Sequence, residues 1–526
     1  MQYNSLLYLL VFLPVVMLLY QLLPQKHRWK LLLAASYVFF FLLSRKLIIY
    51  LLFSTGCMHY IGLWLNTCDR DLEDFRGAED FHAQKELTAR KKRGILWLGV
   101  AAQIGVLLLL KYFNFVSGNL NILLSKMSLS FTFPTLKLSV PIGISFFTMQ
   151  AVSYIVDVYK KKTPADRNLW RLALYMAFFP SIMEGPICRY SETAEALYAG
   201  ERLTYHNITF GSQRIVWGLF KKVVLADRLS PLVELVFSKY TQYGGITVLL
   251  GAICYTLQLY ADFSGCIDMT IGTAEMFGVR LPENFRQPFF SRTASEFWRR
   301  WHITLGAWFK DYIFYPLSLT KWIKSMGKKA RLKFGRHVGP VIQTIVPLLA
   351  VWLSNGIWHG TGWNYIFFGL YYFVLILTGN LLEPLIGKST DLLHVSRKSI
   401  GWRAIQTVKM FCIIVTGELF FKAASLAAGF AMIKSIFTAF DLSALSNGSL
   451  LNLNLSVKDF LVVAVGYLVV LAVGIVHEKG IHIRQQVGSW PVALRWSFYY
   501  AAVLLVFIFG AYGGSYAPVD PLYASF

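Results

Sequence analysis

Apolar runs close to the length of a bilayer crossing recur along the whole chain. They cover residues 2–23, 46–65, 95–116, 141–159, 245–260, 341–360, 363–382, 405–421, 458–476 and 496–513. Roughly 20 apolar residues let a helix cross the hydrocarbon, and only a helix or a closed barrel satisfies its backbone there. Shorter candidates, interrupted by charge or proline, lie at 31–43, 170–183 and 213–236. Charged residues make up 15% of the 526, against about 25% in an average soluble chain. The expected fold is an all-α, polytopic membrane protein. It has about 11 spanning helices by run length, with re-entrant and interfacial helices. The first run has no basic lead-in and no small-residue cleavage site, so it reads as a span and not as a removable signal peptide.

The net charge is +23, from 51 basic and 28 acidic residues. In a soluble chain this would suggest nucleic acid; here it fits basic cytoplasmic loops facing anionic lipid, and no nucleic-acid partner is expected. Lys26, Arg28 and Lys30, then Arg90, Lys91, Lys92 and Arg93, then Lys160, Lys161 and Lys162 fall on one side when spans are counted. That count puts the N-terminus outside the cell. Six cysteines show no paired spacing, and "HEKGIH" (477–482) has one residue too many between its histidines for two ligands on one helical face. Neither a disulfide frame nor a metal is expected.

Polar residues inside apolar runs are the informative exceptions, because they are expensive in hydrocarbon and tend to be functional. Four places stand out. "FFPSIMEGPICRY" (178–190) carries Glu184 and Arg189 among two prolines and a glycine, which break a helix. It reads as a re-entrant or interface segment, with Glu184 either in the protein or at the headgroups. In "TLQLYADFSGCIDMTIG" (256–272), Gln258 and Asp262 share a helical face that points into the protein, as a structural pair or as a ligand contact. "SRTASEFWRRWHITLGAWFKDYIFYPL" (291–317) reads as one amphipathic interfacial helix carrying Trp298, Arg299, Trp301 and His302, with Asp311 further along. The interfacial reading accounts for its tryptophans and arginines but not for His302.

The fourth place is "SNGIWHGTGW" (354–363), within a stretch from Val338 to Leu382 that has no Asp, Glu, Lys or Arg. On a helix Asn355 and His359 are four apart and positioned to share a hydrogen bond. Gly360 and Gly362 then allow a tight turn before the next span, which exposes the helix end beside Trp358. From the residues alone, His359 is a structural histidine or a catalytic one. The basic stretch that follows residue 317, Lys321 to Arg336, has seven cations and no acid. It reads as a cytoplasmic loop that meets anionic lipid or a phosphate-bearing donor.

Four motifs in order, "PIGISFFTMQAVSYIVDVYK" (141–160), "YADFSGCIDMTIG" (260–272), "NFRQPFFSRTASEFWRRWHITLGAWFKDYIFYPL" (284–317) and "SNGIWHGTGWNYIFFGLYY" (354–372), resemble the membrane-bound O-acyltransferase family. The likeness is greatest to its bacterial branch, which includes the alginate O-acetylation membrane protein. The resemblance implies one membrane-embedded domain whose helices surround a central funnel or tunnel, with N-terminal helices over 1–140, a motif-bearing core over 141–385 and C-terminal helices over 386–526. It implies a catalytic histidine at the "WHG" position, His359, and a second at the "RWH" position, His302, facing it. Asn355, Trp358, Trp298, Trp301, Gln258, Asp262, Asp311, Glu184 and Arg189 are the expected substrate or tunnel contacts. Glu184 and the ending "VDPLYASF", with Tyr523 and Phe526, depart from the family pattern and bear on the acceptor.

The implied reaction moves an acetyl group from a cytosolic thioester, an acyl-CoA or acyl-carrier species used as substrate, with no tightly bound cofactor. The acceptor is a hydroxyl of a cell-surface polysaccharide or an exported partner acyltransferase, and the location a bacterial inner membrane. Alternatives are D-alanyl or other acyl transfer to a teichoic-acid-type polymer, a proton-coupled transporter that uses the same polar residues, and a flippase or scaffold. Transporters often carry paired broken helices in inverted repeats, which this sequence does not show.

Overall fold

A computed structural model describes residues 2–512; the chain ending at Tyr523 and Phe526 lies outside them. Its described residues are mostly helical, and an isolated antiparallel bridge between Phe285 and Trp301 is the β pairing among them. Among the described residues, eight helical segments are long and apolar enough to cross a membrane: Gln25–Asp74, Phe81–Lys126, Gly245–Met276, Lys321–His359, Trp363–Leu392, Ile400–Lys422, Val457–Glu478 and Val492–Phe509. The expected eleven is therefore not reached by length and composition. The run at 2–23 becomes the shorter helix Leu7–Leu22, and the run at 141–159 becomes Ile144–Tyr159. The first of the eight segments is two helices, Gln25–Ser44 and Ile48–Asp74, joined by a 3₁₀ turn at Arg45–Leu47.

The chain divides into two compact units. One comprises Met1–Ser212 and Thr270–Pro282; the other comprises Gln213–Met269 and Glu283–Phe526. The first unit packs aromatic rings at its centre. Tyr3 stacks on Phe39 with centroids 5.7 Å apart, and the Tyr3 hydroxyl donates to the Phe179 carbonyl at 2.9 Å. The Phe179 amide in turn donates to Ser36 Oγ at 3.0 Å. This fixes the irregular turn that carries Pro180, Glu184, Gly185 and Pro186, between the helices Leu169–Ala177 and Tyr190–Ala199. A Cβ on Gly185 would lie 2.4 Å from Ser181, so only glycine fits so tight a turn.

In the second unit Lys321–His359 and Trp363–Leu392 form a close hairpin. A Cβ on Gly369 would lie 2.2 Å from the Trp352 carbonyl oxygen, and one on Gly356 would lie 2.4 Å from that of Tyr365. Small residues let helix backbones approach in a membrane, where packing and not water exclusion drives association. Ion pairs replace apolar packing at several places, among them Lys221 with Asp268 and Lys222, whose Nζ lies 2.8 Å from Asp262 and 3.0 Å from Asp227. Lys222 sits on a π-helical segment, Phe220–Ala226, and such segments redirect side chains from the regular helical pattern.

Two expectations need correction. The stretch 291–317 is not one amphipathic helix: it breaks into Ala294–Arg300 and Ile303–Phe309, followed by a π turn and a short helix. Trp298 and Arg299 are helical, while Trp301 is extended and His302 left-handed at φ 46°. The basic stretch 321–336 is not a loop but the first arm of Lys321–His359, which turns back at Gly335, φ 81°. A Cβ on Gly339 in the second arm would come 2.4 Å from Arg331 Cα in the first.

Candidate active site

His359 is the last residue of its helix, and Gly360, Thr361 and Gly362 carry the chain to Trp363, as the glycines in the sequence suggest. A helix end leaves carbonyls without intrahelical partners, so this imidazole sits where chain direction changes, not along a smooth span. His302 comes from a different construction. Asn284 Oδ1 accepts from the Thr304 amide and the Thr304 hydroxyl, each at 3.0 Å, and lies 3.4 Å from His302 Nδ1. That clamp holds the left-handed turn between two short helices. Histidine tolerates this region better than most side chains.

The two imidazole centroids lie 6.5 Å apart. Trp358 sits edge-on to both, at 5.7 Å from His302 and 4.9 Å from His359. Phe263 covers His302 at 4.8 Å, while Phe421 and Phe368 cover His359 at 5.1 and 6.0 Å. Both histidines are buried. His302 lies outside the eight long apolar helices, and burial pushes its imidazole down to about 3, so it is neutral at physiological pH.

His359 also lines a small cavity with Leu259, Phe263, Trp298, Trp301, Phe368, Tyr372, Glu418 and Phe421. Its volume is about 20 Å³, close to what one water molecule needs. The helices deliver these residues at regular spacing: Leu259 and Phe263, then Phe368 and Tyr372, are i, i+4 pairs on one face. Asn364 Nδ2 ties the start of Trp363–Leu392 to the end of Ile400–Lys422, donating to the carbonyls of Phe420 at 3.3 Å and Ala423 at 3.2 Å. That tie brings Glu418 and Phe421 to the cavity wall.

The remaining residues singled out in the sequence divide. Trp298, Trp301 and Trp358 stand around the histidines. Asn355 is buried, but its Oδ1 makes no hydrogen bond to a described residue, so it does not accept one from His359. Gln258 is buried with its Oε1 likewise unmatched. Asp262 makes its ion pair with Lys222 and does not line the cavity. Asp311 is half-buried on the π turn Lys310–Phe314. Glu184 and Arg189 are buried in the first unit.

Glu418 and Tyr372 are polar residues of the cavity that the sequence does not single out. For Glu418 a signal existed: it is the one acid in the 405–421 run, and the rule that marks Asp262 marks it too. For Tyr372 there was none.

A model of the MBOAT, membrane-bound O-acyltransferase family, matches residues 32–332, a span that includes His302 and stops short of His359. A probable alginate O-acetylase of Azotobacter vinelandii is 32% identical over 458 residues, 87% of this chain and 82% of the relative. A peptidoglycan O-acetyltransferase of Helicobacter pylori is 30% identical over 70% of this chain and 68% of its own length. A teichoic acid D-alanyltransferase of Bacillus subtilis is 28% identical over 46% of this chain and 59% of its own. With a family model over more than half of its length and relatives aligned across most of it, this chain belongs to the membrane-bound O-acyltransferase family.

Proposed function

We propose that the protein is a membrane O-acyltransferase that moves an acyl group, acetyl in the first instance, from a thioester to a hydroxyl of a cell-surface polysaccharide. The observation that carries this reading is the buried cavity where His359 faces a ring-lined space with His302 6.5 Å away. A thioester is already activated, whereas a hydroxyl is a poor nucleophile and needs a base in contact with it. His359 is that base: it takes the hydroxyl proton as the oxygen attacks the carbonyl carbon, and returns it to the departing thiolate. The aromatic walls exclude bulk water, which strengthens the electrostatics of the step. Acetyl transfer is favoured over D-alanyl because the O-acetylating relatives align over most of this chain and the D-alanyl relative over under half. Relay of the acyl group through an exported acyltransferase is part of the same proposal, as are an inner-membrane location and an external N-terminus.

His359→Ala and His359→Gln test the assignment. Both are expected to lower transfer from labelled acetyl-CoA on the order of 10²-fold or more, with protein level and melting temperature near those of the parent. Wild-type turnover in a well-expressed Gln variant removes His359 from the role of base.

A further inference from the structure

Three residues that line the His359 cavity each carry a buried polar atom that makes no hydrogen bond to any described residue: Glu418 Oε2, the Tyr372 hydroxyl oxygen and Trp298 Nε1. Buried polar atoms are nearly always paired, and an unmatched one costs about 1–3 kcal/mol. The three residues that carry them line one space of about 20 Å³, together with His359, Leu259 and further aromatic rings. Their chemistry is complementary. A carboxyl oxygen accepts, an indole N–H donates, and a phenol does either. Together they match one small oxygen that carries hydrogen, and buried water settles where two to four such partners meet.

We propose that this recess is the seat of the attacking oxygen. It takes the acceptor hydroxyl during transfer and a water molecule when no acceptor is bound, so the protein also hydrolyses its acyl thioester slowly. This rests on the acyl-transfer reading above. Water has two hydrogens, one for Glu418 and one for His359, and accepts from Trp298 or Tyr372. Its oxygen attacks the thioester carbonyl carbon as its proton passes to His359. A C–O bond forms, the C–S bond breaks, and the thiolate takes the proton back, leaving a carboxylic acid and a thiol. An alcohol offers its single hydrogen to His359 and leaves Glu418 to the Tyr372 hydroxyl. Glu418, Tyr372 and Trp298 are then contacts of the reacting atom itself.

The experiment uses purified full-length protein in lipid nanodiscs with radiolabelled acetyl-CoA, with and without an O-acetylatable polysaccharide such as alginate. Without polysaccharide the wild type is expected to release acetate slowly, with one ¹⁸O from labelled water. Tyr372→Phe and Glu418→Gln are expected to lower release and transfer together by roughly tenfold or more, with KM for acetyl-CoA unchanged. Melting temperature is expected to hold, because Tyr372→Phe removes an oxygen that has no protein partner and Glu418→Gln keeps the size and shape of the side chain while exchanging one carboxyl oxygen for an amide nitrogen. A purely structural role predicts lower melting temperature and activity that follows protein level, and overturns the inference. Wild-type protein that transfers acetyl but releases no acetate also overturns it and leaves the transferase reading standing. Wild-type protein that does neither overturns both. An experimental structure that resolves bound water elsewhere in the second unit but none within hydrogen-bond reach of Glu418 and Tyr372 overturns the seat independently of the donor.

Discussion

His302 shows how one residue joins backbone strain to chemistry. A left-handed conformation costs most side chains about 1–2 kcal/mol, and the Asn284 clamp on Thr304 overrides that preference. The same burial makes the folded state sensitive to acid. In the fold His302 takes up a proton only near about pH 3, whereas in the unfolded chain an imidazole does so near about 6.5. As pH falls below about 6.5 the unfolded state binds the extra proton first, so stability declines from there downward. In His302→Gln that titration is absent, and the fall in melting temperature between pH ~6.5 and ~4 is expected to be shallower. An identical slope in parent and variant assigns the acid sensitivity to other groups.

At the scale of elements, the hairpin of Lys321–His359 and Trp363–Leu392 sets the cavity wall. Gly369 lies against the backbone of Trp352, and the Trp352 ring stacks on Tyr372 at 5.4 Å. A methyl group there pushes on backbone, which cannot rotate away. Gly369→Ala is therefore expected to destabilise by about 1–3 kcal/mol and to lower activity by moving Tyr372. Gly379, on the same helix, has nothing within 4 Å of its Cβ position. Gly379→Ala is expected to be neutral or stabilising by up to about 1 kcal/mol, the helix-propensity difference. Thermal melts of the two variants side by side check this; equal effects exclude the backbone contact as the cause.

Across the second unit, buried charge links segments far apart in sequence. Lys222 is fully buried, and its partner Asp262 precedes Phe263, whose ring covers His302. Removing one member of such a pair leaves the other charge unmatched, a loss of about 3–5 kcal/mol. Lys222→Met is expected to lower the yield of folded protein, and adding Asp262→Asn should recover part of it, because one of the two stranded carboxylates is then neutral while Asp227, 3.0 Å from the same ammonium, still lacks its cation. Yield and melting temperature of the single and double variants decide the point. A double variant no better than the single shows that Asp262 is not the partner that matters.

Much of the architecture was readable because the membrane imposes its demand locally. Each apolar run must close its own backbone hydrogen bonds, so Lys321–His359 can be seen to end near Gly360 and Trp363–Leu392 to begin beyond it without knowledge of any neighbour. The two glycines fix that turn, and a histidine in an uncharged stretch marks itself. Tertiary structure alone decided which faces meet. Asp262 looked like a cavity residue until Lys222, forty positions earlier, took its carboxylate. Glu418 and Tyr372 reach His359 because Asn364 ties two helix ends together and Gly356 and Gly369 let two backbones touch. Such convergence depends on how helices pack, and lipid is as apolar as the side chains it contacts, so little in the sequence marks the face that turns inward.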